Sequence, residues 1–118
     1  MAVQTYLGSC HCGNVRYEVD LDLSGPVTAC NCSMCARAGW LLTFAEVDRF
    51  RLLSGEGLGD YQFNRRHIHH LFCPTCGIKA FSRGTRPDGK EMIAINVRCL
   101  DDVDLDALKV KKVDGRSF

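Results

Sequence analysis

Cysteine spacing constrains this chain more than any other feature. Seven of the eight cysteines fall in three tight groups, Cys10-His11-Cys12, Cys30-Asn31-Cys32-Ser33-Met34-Cys35 and Cys73-Pro74-Thr75-Cys76, and Cys99 stands apart. Cysteines one or two residues apart on a tight loop can turn two thiolates toward one metal, about 2.3 Å from the ion. In a secreted chain so many cysteines suggest a disulfide framework, whereas in a reducing compartment clustered cysteines more often bind metal. Met1 to Gly8 lacks the basic start and apolar stretch of a signal peptide, and no apolar run reaches the roughly 18 residues that span a bilayer. The expectation is a cytoplasmic, metal-binding protein without a membrane partner.

Cys73-Pro-Thr-Cys76 followed by Gly77 is the strongest single signal, because proline sets the entering turn and glycine tolerates the positive φ such a turn needs. Cys10 and Cys12, followed directly by Gly13, form the natural complement. Together the four thiolates make a closed, structural zinc site that staples an early strand to the middle of the chain, so that binding energy acts as folding energy. The competing reading, a disulfide or buried free thiols, suffers because cysteines separated by one residue cannot easily bridge each other.

Cys30, Cys32 and Cys35 then supply three thiolates within six residues, the pattern of a zinc site with one coordination position open for chemistry. Three thiolates on Zn²⁺ leave a net negative centre, a weaker Lewis acid than a histidine-rich site. Simple hydrolysis is therefore disfavoured, and holding an incoming thiol as its thiolate is the expected use. The alternative is a fourth protein ligand, with Cys99, His67, His69 and His70 as candidates. Cys99, at the end of the apolar stretch from Met92 to Val97, reads as a buried structural thiol. The histidines read as sheet-surface residues, His67 and His69 on one face of a strand and His70 on the other.

At 118 residues the chain has room for one domain, taken as residues 1–118. A hydrophobic fraction of 46% and a quarter charged residues indicate a compact globular fold. The formal net charge of +1, with both signs interspersed, leaves no basic field for nucleic acid. Strand signals cover Val15–Val19, Trp40–Phe44, Phe50–Ser54, Asp60–Asn64, Ile68–Phe72, Lys79–Ser82 and Met92–Val97. Turn signals lie at Ser24-Gly25-Pro26, Ser54-Gly55-Glu56-Gly57 and Arg86-Pro87-Asp88-Gly89. The one persuasive helical piece is Asp102–Lys109, capped by Asp102 or Asp104, with Val103, Leu105 and Leu108 facing inward. The reading is a mainly β, antiparallel architecture with metal-bearing loops. Arg37, Arg65, Arg66, Lys79, Arg83 and Arg86 are scattered cations that could receive a carboxylate-bearing small molecule.

Gly8-Ser-Cys-His-Cys-Gly13 before a Val-Arg-Tyr strand, Cys30-Asn-Cys-Ser-Met-Cys35, Phe72-Cys-Pro-Thr-Cys-Gly77 and Asn96-Val-Arg-Cys-Leu-Asp101 together resemble the glutathione-dependent formaldehyde-activating (GFA) family, also called the CENP-V/GFA family. The pattern runs through nearly the whole chain. The resemblance implies a β-tent of several coiled antiparallel sheets and two zinc ions per chain. It implies that Cys10, Cys12, Cys73 and Cys76 hold a structural zinc and that Cys30, Cys32 and Cys35 hold a catalytic one. It also implies a carbon-sulfur lyase-type activity joining formaldehyde to glutathione as cosubstrate, giving S-hydroxymethylglutathione. Small-molecule thiol and aldehyde are thus the expected partners. A non-enzymatic zinc scaffold that binds a protein is the alternative.

Overall fold

Period-two alternation organises the chain. In β2 (Arg16–Leu21), Tyr17, Val19 and Leu21 are buried, while Arg16, Glu18 and Asp20 face outward. Outside, Arg51 of β5 (Phe50–Ser54) bridges Glu18 at 2.6 Å and Asp20 at 2.9 Å. With β1 (Gln4–Ser9), these strands form a three-stranded antiparallel sheet in the order β1-β2-β5. The computed structural model describes residues 3–55, 57–63 and 68–114.

A second sheet has seven strands, in the order β10-β3-β4-β9-β8-β7-β6. They are β3 (Val27–Cys30), β4 (Leu42–Glu46), β6 (Gly59–Tyr61), β7 (Ile68–Phe72), β8 (Phe81–Thr85), β9 (Glu91–Asn96) and β10 (Val110–Val113). Every described strand pairing is antiparallel except β10 with β3, which is parallel. The Arg86-Pro-Asp-Gly89 turn closes the β8–β9 hairpin, with the Gly89 N–H on the Arg86 carbonyl at 2.9 Å and Gly89 at φ +86°.

The core lies between the sheets. Tyr17, Phe50 and Phe81 meet at centroid distances of 5.2, 5.8 and 4.8 Å, flanked by Val15, Val19, Ile93 and Ile95, all buried. The Tyr17 hydroxyl donates to the Ala80 carbonyl at 3.2 Å, so the buried phenol stays paired. Phe81, Ile93, Ile95 and Ala45 point into this core from odd-numbered positions of the large sheet. Its even-numbered positions face the other way, and they build the site described below.

The mainly β reading holds, with three refinements. Expected strands appear with shifted ends: the strand predicted from Trp40 begins at Leu42, that from Lys79 at Phe81, and that from Asp60 keeps only Gly59–Tyr61, with Asn64 outside the described residues. Strands β1, β3 and β10 are added, their sequences too short or too polar for alternation to reveal. The helix expected over Asp102–Lys109 shrinks to a 3₁₀ turn, Leu105–Ala107, capped by the Asp104 side chain at 3.1 Å, because Asp102 sits in the left-handed region at φ 58° and interrupts it. Val103, Leu105 and Leu108 do pack against the core. The α-helix is instead α1 (Ser33–Ala38), inside the second cysteine group.

Candidate metal centres and an adjoining cavity

Two loops of the same construction bring the first four cysteines together. At Cys10 the N–H bonds the Val15 carbonyl at 3.1 Å, and at Cys73 the N–H bonds the Ile78 carbonyl at 3.0 Å, the same five-residue closure. Gly13 and Gly77 take φ +84° and +79° inside these closures, a conformation that a side chain disfavours. Each loop then aims backbone donors at sulfur: Val15 N–H at Cys10 (3.3 Å), and Thr75 and Cys76 N–H at Cys73 (3.4 Å each). The Cys76 N–H, joined by that of Thr75, outweighs burial and draws the Cys73 thiol down to about 6.

Cys10, Cys12, Cys73 and Cys76 place their sulfurs within 4.8 Å of one another. Cys10 and Cys12 are 3.7 Å apart and Cys12 and Cys73 3.5 Å, far beyond a disulfide bond and close to the roughly 3.8 Å edge of a tetrahedron of sulfurs about a zinc ion. Donor set and spacing fit a closed four-thiolate metal site.

The second cluster is local. Cys30 ends β3, Cys32 caps α1, and Cys35 lies in the helix's first turn. The Cys32 sulfur accepts the Cys35 N–H at 3.3 Å in the manner of an N-cap side chain, and the Cys30 sulfur accepts the Cys32 N–H at 3.4 Å. Gly39, at φ +68°, ends the helix with its N–H on the Cys35 carbonyl. Burial is the largest influence on Cys32 and opposes its ionisation, but hydrogen bonds from the Cys35 and Met34 N–H groups and the Cys30 and Cys35 thiols together outweigh it and lower the thiol, whereas burial raises Cys35. The three sulfurs lie within 4.8 Å of one another, and no other described His, Cys, Asp or Glu joins them. These thiols fit one metal ion with a coordination position left open.

The candidates for a fourth ligand go elsewhere. Cys99 packs against the core, its thiol pushed up to about 11 by burial. His69 bonds Asp60 at 2.8 Å on an exposed face, as a sheet-surface histidine should. His67 lies outside the described residues. His70 corrects the surface reading: it is 6% exposed, because Phe63 stacks on its ring at 5.3 Å and Trp40 meets it edge-on at 5.8 Å. Its Nδ1 is buried without a hydrogen-bond partner among the described residues, and burial, with Lys79 nearby, lowers its pKa.

Cys30, Cys32 and Cys35 line a cavity of about 660 Å³ on the even-numbered face of the large sheet, and His70 and Trp40 line it too. Sequence reasoning named His70 only as a candidate ligand and read Trp40 only as a strand residue, because alternation assigns residues to faces without saying which face meets the thiols. Of the cations singled out in the sequence, Arg86 lines this cavity while paired with Asp88 at 3.0 Å. Arg37 and Lys79 line a separate cleft of about 730 Å³ behind Trp40, where Lys79 stands 5.4 Å over the indole. Arg83 pairs with Glu91 at 3.3 Å, and Arg65 and Arg66 fall outside the described residues. No helix among the described residues is long and apolar enough to cross a membrane.

The chain is similar to known proteins. A crystal structure of a Rhodobacter sphaeroides protein superposes with a TM-score of 0.76 at 33% identity, over 89% of this chain and 99% of the other. The family model described as glutathione-dependent formaldehyde-activating enzyme matches residues 5–113, which include all three cysteine groups. The chain therefore belongs to the glutathione-dependent formaldehyde-activating family.

Proposed function

We propose that this protein is a zinc-dependent carbon-sulfur lyase-type enzyme that adds a thiol to an aldehyde carbonyl, glutathione and formaldehyde being the pair its family implies. Cys10, Cys12, Cys73 and Cys76 serve a structural zinc, and Cys30, Cys32 and Cys35 a catalytic one. The observation that carries the reading is a three-thiol cluster that no fourth described residue closes and that lines a cavity large enough for a substrate. A zinc ion held by three thiolates supplies a soft position that favours deprotonation of a thiol over hydrolysis of a carbonyl compound.

The chain's own residues contribute position and dryness. Cys32 caps the helix that carries Cys35, so two of the three donors are fixed by one hydrogen-bonded turn. Trp40 and Phe63 narrow the cavity around His70, whose ring is held neutral at pH 7 by burial and carries a buried nitrogen unpartnered among the described residues. Among the described lining residues His70 is the titratable group, apart from the thiols and Arg86, placed to manage the proton that moves from thiol sulfur to aldehyde oxygen.

The test is S-hydroxymethylglutathione formation by the zinc-loaded protein against the uncatalysed rate, measured by exchange NMR. A rate above background that Cys32→Ser abolishes supports the reading. Two tightly held zinc ions with no thiol binding and no rate would favour a non-enzymatic scaffold.

A further inference from the structure

The cavity beside Cys30, Cys32 and Cys35 is much larger than formaldehyde requires. It measures about 660 Å³, whereas a molecule of two heavy atoms displaces roughly the volume of two waters, about 60 Å³. Its shape follows from the sheet: Phe44, Ala94, Ser82 and His70 lie in one row across β4, β9, β8 and β7. The middle of that row carries small side chains, and Gly84 continues the gap on the neighbouring row. Large apolar side chains stand on either flank, so the sheet carries a trough rather than a packed face.

The trough is apolar, and no other described element covers it. Leu42, Phe44, Ile68, Met92 and Val113 line it. Phe44 is 53% exposed and Ile68 39% exposed, whereas on the reverse face of the same sheet Ala45, Phe81, Ile93 and Ile95 are buried in the core. A concave apolar surface of this kind beside reactive groups is characteristic of a ligand site. Among the described lining residues Arg86 is the one permanent charge, and Asp88 already pairs with it. Glutathione, with two carboxylates and an ammonium, therefore finds little in the trough to match its charges, whereas a hydrocarbon body does.

We infer that this chain takes an aldehyde with an apolar body, medium-chain or arylalkyl, whose hydrocarbon lies in the trough beside Cys30, Cys32 and Cys35. The inference rests on the thiol–aldehyde reading and narrows its substrate. The step balances without an oxidant: the sulfur–carbon bond forms, the carbonyl π bond opens, and the thiol proton ends on the former carbonyl oxygen, giving a hemithioacetal.

The experiment compares formaldehyde, propanal and octanal with glutathione on the zinc-loaded full chain, by exchange NMR with the uncatalysed rate subtracted. It adds titration of Trp40 emission with 2-octanone and with acetone, since Trp40 is the chain's sole tryptophan and lines the cavity. The expected result is a kcat/KM at least tenfold higher for octanal than for formaldehyde, with an emission change for 2-octanone and none for acetone. Filling the trough by Ala94→Phe, or by the milder Ala94→Leu should the first not fold, lowers the octanal-to-formaldehyde ratio at least tenfold. Turnover of formaldehyde with no gain from chain length overturns this inference and leaves the thiol–aldehyde reading standing. No turnover of any aldehyde by a two-zinc protein overturns both, whether or not 2-octanone binds.

Discussion

Cys12 and Cys73 stand 61 positions apart in sequence, and their sulfurs lie 3.5 Å apart. A cross-link closing a loop of this length constrains the unfolded chain by about 4 kcal/mol. A metal held there does the same work and adds its own binding energy. Cys73→Ala should therefore lower Tm by roughly 15 °C or more, and reduce metal content from two ions per chain to one, as read by calorimetry and elemental analysis.

Cys32 has two roles that substitution can separate. Serine is itself a good N-cap, so Cys32→Ser should retain the α1 turn now capped by the Cys32 sulfur. Cys32→Ala removes both metal donor and cap, costing about 1 kcal/mol more. Circular dichroism melts of the two variants should differ by that amount, while both lose the second metal ion and at least a hundredfold of thiol–aldehyde turnover.

A methyl group at Gly8 would run into the ring of Tyr17. Tyr17 is fully buried and tethered through its hydroxyl to Ala80, so it cannot retreat. Gly8→Ala should destabilise the fold by about 1 to 3 kcal/mol, measured by urea denaturation with unchanged metal content. Tyr17→Phe removes one of two donors on the Ala80 carbonyl, which keeps the Asn96 N–H at 3.1 Å, and should cost no more than about 1 kcal/mol.

His70 should report its burial through Trp40, 5.8 Å away. Burial, with Lys79 nearby, places the folded-state pKa below the ordinary histidine value. The unfolded chain thus binds the proton more readily, so the stability contribution is present above about pH 6.5 and is lost as pH falls through the folded value. Trp40 emission should titrate with a midpoint below 6.5, and His70→Gln should remove that step and flatten the acid side of the stability curve. A midpoint at or above 6.5 would contradict the buried setting.

Spacing alone determined the membership of both cysteine clusters. Ligands one or two residues apart converge by local turn geometry, and Gly13 and Gly77 mark where those turns need a positive φ. Alternation likewise exposed β2, because one buried face leaves a period of two in the residues, and β-branched and aromatic content exposed β5, β7 and β9. Helix α1 escaped because six residues are too few for a helical period to show, and its ends are set by a cysteine cap and a left-handed glycine. Strand β10, Val-Lys-Lys-Val, has no alternation and becomes a strand through parallel pairing with β3. Only the tertiary structure decided which face of the large sheet became core and which a trough, since a period of two is blind to direction. That choice buried His70 and placed it and Trp40 around the same cavity as the three thiols, because pairing across β4, β9, β8 and β7 gathers residues that lie far apart along the chain.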